Sequence, residues 1–485
     1  MGVMRTMAMP AQGREAAAAA FWRASQVSDR QPLAHHLRRT LAFAMPIMVA
    51  RSAILIMATV DAIMTGWSGA RELAYLGLGA TPMITLMIVS IGALQSTVVL
   101  VSQAVGAGED ETVGDIWRAS LAHAAVLGLA AFALSLLAED AYLVAGQDPD
   151  IARHGAAVSR EFGWGIPGML LFVTASLTLE AIGHQRVGMA IMLVANLLNV
   201  MLNGVFVVGW FGWFEPGGAV AAVATSSALR WLAFVAALAY MLGVLVRAGD
   251  RFAILAPART WFGQWRSLGG AIGRRIRRIG LPMALLQGVE SSAFAAVVFL
   301  AGFLGADALS AHQATMTILT LVYMNAIGMA GATSIRVGRA VGRANADDVF
   351  LAGASGVGLA MALALPFAAF ALAAPELLAR AFVDDDAVIA IARETMWTIG
   401  WLFAFDAMMG AVLGALRGVA DIWVPLAVQA AAFWVIAIPA AWALAIAGDL
   451  GPAGLWWGIG TGMIVSLVFL LPRFHVVAHR PVARV

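Results

Sequence analysis

Six ionisable side chains stand inside segments that are otherwise apolar: Arg51, Asp61, Glu180, Arg230, Glu290 and Asp406. An ionisable group surrounded by hydrocarbon costs roughly 3 to 10 kcal/mol, depending on depth and water access, so each of the six needs a partner or a function. Glu290 lies about ten residues into its segment and Asp406 about eleven, which at about 1.5 Å per helical residue brings both to half depth. No arginine stands at comparable depth in that half of the chain to pair with them, so the two acids read as functional groups able to face one cavity, the structural alternative being acids that only hydrogen-bond a neighbouring helix. Asp61 lies some twenty residues into the first segment; its structural alternative is a salt bridge with Arg51 or Arg230. Glu180, near a segment end beside Arg186, reads as half of an interfacial ion pair with that residue, and Arg51 has no assigned role.

Uncharged polar residues extend the pattern. Asn196, Asn199 and Asn203 form a stripe, with Asn199 and Asn203 one helical turn apart and therefore on one face. With Asp61 and Thr225 they would make an oxygen-rich site for a hard monovalent cation or a proton, while hydrogen bonding between helices alone is the plainer reading of such a stripe. Tyr323, one of four tyrosines, offers an aromatic face to a cation or simply packs. Other patterns carry no chemistry. Residues 163–168 match G-x-G-x-x-G but open an apolar span with no strand before them, which excludes a dinucleotide fingerprint. Gly454, Gly458 and Gly462 have the spacing of close helix packing, and His475 and His479 alone make a poor metal site. With no cysteine in the chain, thiolate metal sites and disulfides are excluded. No nucleophile, phosphate loop or metal cluster remains, so an enzyme is not expected.

The elements that must position these residues follow from composition. Of 485 residues 61% are hydrophobic and 12% charged, about half the charged fraction of a soluble domain, and mean hydropathy is +0.86. The fold class is an all-α integral membrane protein with about twelve transmembrane helices, six within 41–245 and six within 279–473. The apolar runs are too long, and alternate too little, for barrel strands. A tail at 1–40, an arginine-rich linker at 246–278 and a second tail at 474–485 complete the expected organisation. The linker reads as a flexible connection lying against anionic headgroups.

All 30 basic residues are arginine. With loops assigned alternately to two sides, the side holding both termini collects 23 arginines and the other collects five, which predicts cytoplasmic termini. The halves repeat at a constant offset of 236 positions: Pro46 matches Pro282, Gly66 matches Gly302, Gly69 matches Gly305, Val105-Gly106 matches Val341-Gly342, and Pro216, Gly218 and Thr225 match Pro452, Gly454 and Thr461. Six spans per copy make the repeats parallel, an arrangement that places binding sites between two bundles near mid-membrane. Asp61 matches the apolar Val297 and Glu290 matches Ile54, so the acids are not part of the repeat.

Several segments resemble multidrug and toxic compound extrusion (MATE) transporters. Pro46 to Gly79, with Asp61 to Gly66, resembles the family's first helix and turn. Gly331-Ala332-Thr333-Ser334-Ile335-Arg336-Val337-Gly338-Arg339-Ala340-Val341-Gly342 resembles its eighth helix and following loop. Leu281-Pro282 followed by Glu290, and Asp406 followed by Leu416-Arg417-Gly418, resemble the NorM-like branch. The resemblance runs from about residue 40 to 473. It implies two six-helix bundles around a cleft and export of amphipathic, mostly cationic compounds by antiport with Na⁺ or H⁺, with no other cofactor. It implies a C-terminal coupling site at Glu290, Asp406 and Tyr323, with Na⁺ held at the two acids. It also implies an amino-terminal site at Asp61, Asn199, Asn203 and Thr225, Asn203 standing where some relatives carry an aspartate. The expected setting is the bacterial inner membrane, as a monomer with lipid and small-molecule partners and no nucleic acid. The major facilitator superfamily shares the six-plus-six pattern but has a basic loop where this chain has the acidic Glu109-Asp110-Glu111. A flippase for a lipid-linked precursor and a passive channel are the alternative functions.

Overall fold

A computed structural model describes residues 33–247, 249–255, 269–381 and 385–480. The expected amino-terminal tail up to residue 32, linker residues 256–268 with Arg259 and Arg266, and the last five residues lie outside the described residues.

Backbone amides in hydrocarbon have no water to bond, so long apolar segments must satisfy them internally as helices. Among the described residues, twelve helices are long and apolar enough to cross a membrane: α1 His36–Ser68, α2 Ala70–Gly106, α3 Thr112–Ser135, α4 Pro149–Ile182, α5 Gln185–Phe206, α6 Gly218–Leu245, α7 Ala271–Phe303, α8 Ala306–Gly342, α9 Ala346–Ala373, α10 Asp386–Gly418, α11 Trp423–Ala447 and α12 Gly451–Ala478. The number matches the sequence reading; α7 begins inside the expected linker, because Arg274, Arg275, Arg277 and Arg278 lie on its first turns. Prolines stand within seven of the spans, including Pro46 in α1 and Pro282 in α7.

The chain forms two compact units. The first, here the N-unit, holds residues 49–105 and 109–284; the second, the C-unit, holds residues up to 48, 106–108 and 285 onward. The units therefore do not divide at the linker: α1 passes from one to the other two residues after Pro46, and α7 does so two residues after Pro282. The contacts explain each exchange. Near the start of α1, His36 and Thr40 are hydrogen-bonded to Arg336 of α8. In α7, a side chain at Gly280 would collide with the main chain of Ala93 in α2.

The most enclosed helix of the N-unit is α4, and that of the C-unit is its repeat mate α10; 89% and 72% of an 18-residue apolar stretch of each is buried. Small residues let neighbours approach them closely. Gly163, Gly165 and Gly168 of the discarded glycine pattern back onto Ser135, Ser227 and Trp231. On α10, Gly410, Gly414 and Gly418 meet Ala326, Ala330 and Val337 of α8, and Gly454, Gly458 and Gly462 of α12 meet Ala445, Ala441 and Ala437 of α11. The repeat extends to the backbone: Gly69 before α2 and Gly305 before α8 have φ of 136° and 105°, values that favour glycine. The described part of the linker is held by protein. Arg118 of α3 donates to the main-chain oxygens of Ala253 and Ile254 at 2.6 and 3.1 Å, and Ile254 is fully buried.

Candidate functional sites

In the N-unit, α1, α5 and α6 bring a carboxylate to three donors. Asp61 Oδ1 accepts from Asn199 Nδ2 at 2.9 Å and from Asn203 Nδ2 at 2.7 Å, while its Oδ2 accepts from Ser226 Oγ at 2.5 Å. Asn199 Nδ2 also donates to Ser226 Oγ at 3.0 Å. The one-turn spacing of Asn199 and Asn203 is what lets both amides reach the same oxygen. Since each amide must turn its NH₂ to a carboxylate, its oxygen points elsewhere, and Oδ1 of both asparagines is buried without a hydrogen-bond partner. The cluster is enclosed: Asp61 is 7% exposed and the two asparagines are fully buried.

The sequence reading grouped Asp61, Asn199 and Asn203 as the structure does, but selected Thr225 where the adjacent Ser226 makes the contact. Thr225 is buried; its place in the expected cluster came from its oxygen and from the family resemblance. Ser226 has a different signal: it is one turn from Arg230, the only charge on α6. Asn196 belongs to packing, since its Nδ2 bonds the main-chain oxygens of Ala53 on α1 and Met192 on its own helix, at 2.8 and 2.9 Å.

Arg51 and Glu180, treated separately from sequence, are partners. Arg51 Nη2 stands 3.3 Å from Glu180 Oε1, which also accepts from Ser176 Oγ at 3.0 Å. Glu180 is therefore a buried ion-pair member joining α4 to α1, and its partner is not Arg186. Because Arg51 is used here, the remaining arginine for Asp61 is Arg230. Arg230 acts on Asp61 electrostatically but stacks over the ring of Phe162, 4.1 Å from guanidinium carbon to ring centre.

In the C-unit, Tyr323 of α8 donates its phenol proton to Glu290 Oε1 of α7 at 3.0 Å. Asp406 of α10 is near enough to feel the charge of Glu290 and for its own charge to act on Tyr323. Asp406 also lines a cavity of about 10 Å³ with Val322, Asn325, Met329 and Phe367, space for about one water. Asn325, two residues beyond Tyr323, was not picked out from sequence. Although no arginine stands at the depth of these acids, the charge of Arg417 acts on Glu290 and Tyr323. Arg417 is eleven residues past Asp406 on α10, but helical side chains lean toward the N-terminus of their helix and arginine is long, so depth of the Cα understates its reach. Among the described residues, no group of three or more His, Asp or Glu side chains is arranged to hold a metal ion.

Known proteins resemble this chain over most of its length. The MatE family pattern matches residues 46–205 and 282–443, and the two matches begin at the repeat pair Pro46 and Pro282. Multidrug resistance protein MdtK of Pectobacterium atrosepticum is 27% identical over 453 residues, covering 92% of this chain and 97% of the relative. Among solved structures, the eukaryotic MATE transporter AtDTX14 superposes with a TM-score of 0.80 at 18% identity, over 93% of this chain and 98% of that one. A MOP superfamily transporter from Pyrococcus furiosus, described as having a binding pocket of reversed polarity, superposes with a TM-score of 0.80 at 19% identity, over 93% and 99%. The chain is an integral, multi-pass membrane protein, and it belongs to the MatE family.

Proposed function

We propose that this protein is a secondary active multidrug exporter, expelling amphipathic and mostly cationic compounds in exchange for inward-moving Na⁺ or H⁺. The observation that carries the reading is a carboxylate centre within the spans of each unit: Asp61 with its three donors, and Glu290 with Tyr323 and Asp406. The name of the relative MdtK supports the substrate class.

In this reading Glu290 and Asp406 form one negatively charged site whose two acids outnumber Arg417, the cation that acts on Glu290 among the described residues. A coupling ion or proton neutralises that excess, and so lowers the hold of the same site on a cationic drug. Such a difference in affinity between states is what antiport requires. Na⁺ would take oxygens from both acids and the Tyr323 phenol, a hard-ligand set suited to it. Efflux of a cationic dye from proteoliposomes under imposed Na⁺ or H⁺ gradients tests the function. Gradient-dependent efflux is expected; dye movement with no gradient would indicate a channel, and lipid-linked cargo in place of dye would indicate a flippase.

The arginine distribution supports a bacterial inner-membrane orientation with both termini and the linker cytoplasmic. Since the chain lacks cysteine, Leu255→Cys gives a label site with no background. Its labelling from outside intact cells would reverse the topology.

A further inference from the structure

Arg230 is a half-buried cation within a span that neither the fold nor the export reading uses. It lies one turn beyond Ser226, whose hydroxyl holds Asp61, so the two side chains emerge from the same face of α6. The guanidinium rests on Phe162 of α4, a ring 5% exposed, at 4.1 Å from its centre. Its Nη1 is enclosed without a hydrogen-bond partner. Among the described residues it has no ion pair, and Asp61 is the charge that acts on it. An arginine within a span normally finds a carboxylate or a row of carbonyl oxygens; this one is parked on an aromatic face beside a carboxylate already held by other donors.

We propose that Arg230 is a resident counter-cation for Asp61, and that its presence makes the N-unit centre exchange protons while excluding Na⁺. The inference rests on the reading of Asp61 as a coupling site and specifies which ion that site takes. Two features of the geometry argue for it. Na⁺ needs several oxygen ligands converging on one point, but the groups facing Asp61 are two amide NH₂ groups and a hydroxyl that donates, and the amide oxygens of Asn199 and Asn203 face away. A Na⁺ ion at Asp61 would also add a second full positive charge next to the guanidinium in a medium of low dielectric, where like charges repel strongly. A proton needs no coordination shell. It forms one O–H bond with the carboxylate, cancels its charge, and leaves Arg230 on Phe162; when the proton departs, Arg230 supplies the balancing charge.

The test is equilibrium binding of radioactive Na⁺ to the purified full-length protein carrying Glu290→Gln and Asp406→Asn, so that the C-unit acids do not contribute. Expected is no Na⁺ binding that depends on Asp61, shown by identical curves with and without Asp61→Asn. Adding Arg230→Gln is expected to create a Na⁺ site at least about tenfold tighter than background, which Asp61→Asn then abolishes, whereas Arg230→Lys keeps the charge and creates none. Asp61-dependent Na⁺ binding with Arg230 in place would overturn the proposal, as would Arg230→Gln gaining no site. Should Arg230→Gln fail to fold, the comparison with and without Asp61→Asn still decides. Absence of dye efflux by the wild-type protein under any gradient would instead strike the export reading and leave the Na⁺ measurement standing.

Discussion

Arg336 of α8 donates through Nη1 to the main-chain oxygen of His36 at 2.7 Å, and through Nη2 it meets His36 Nδ1 at 2.7 Å. The same Nη1 also bonds the Thr40 hydroxyl and, at 3.2 Å, Ser355 Oγ. One guanidinium thus ties the beginning of α1 to α8 and α9 within the C-unit, and His36 Nε2 continues the contact to Asp348 Oδ1 at 3.7 Å. Arg336→Met should lower the melting temperature in detergent, because it strands buried acceptors that cost about 1–3 kcal/mol when unpaired. Arg336→Lys should recover only part of the loss, since an ammonium lacks the planar fork that serves two acceptors at once. Equal melting of all three proteins would remove this anchor from the account.

Asp61→Asn should keep the fold and abolish transport. The asparagine oxygen can still accept from Asn199 and Asn203, and its amide nitrogen can donate to a Ser226 hydroxyl that turns to accept. Asp61→Leu should lose the fold's stability as well, by about 1–3 kcal/mol for each stranded donor. Thermal melting separates the two variants, and dye efflux should be absent in both. Normal efflux by Asp61→Asn would take Asp61 out of the mechanism.

The Arg51 and Glu180 pair should behave as structure alone. Either Arg51→Met or Glu180→Gln leaves an enclosed partner uncompensated and should cost about 3–5 kcal/mol, while the double variant should cost much less than the sum. Measured melting of the four proteins gives this cycle. Efflux per folded molecule should be near wild type in the double variant, and its complete loss there would give the pair a role in transport.

The gross architecture was legible in the sequence because hydrocarbon leaves a chain little choice: apolar runs of sufficient length become helices, and the repeated prolines and glycines mark equivalent bends and turns in the two halves. The acids were legible for the same reason, since Asp61, Glu290 and Asp406 stand out wherever charge is expensive. What the sequence left open depends on how helices are rotated against each other. Ser226 rather than Thr225 reaches Asp61 because one step along a helix turns a side chain by about 100°. Arg51 finds Glu180 on a helix more than a hundred residues away, and the charge of Arg417 acts on Glu290 although its position is three turns past Asp406 on α10. The exchange of the first parts of α1 and α7 between units was hidden because a linker is visible in sequence, whereas the contacts of His36 and Thr40 with Arg336 are not.

Binding of a fluorescent cationic drug to the purified protein, titrated with Na⁺ and repeated between roughly pH 5.5 and 8.5, tests the export mechanism most directly. Drug affinity in the wild type should fall as either Na⁺ or protons rise, because they neutralise the centre at Glu290 and Asp406 that holds the drug. Glu290→Gln and Asp406→Asn should each weaken drug binding and blunt its response to Na⁺ and pH, and the double variant should be little worse than either alone, since both acids serve one site. Drug binding that ignores Na⁺ and pH equally in the wild type and in all three variants would contradict the account.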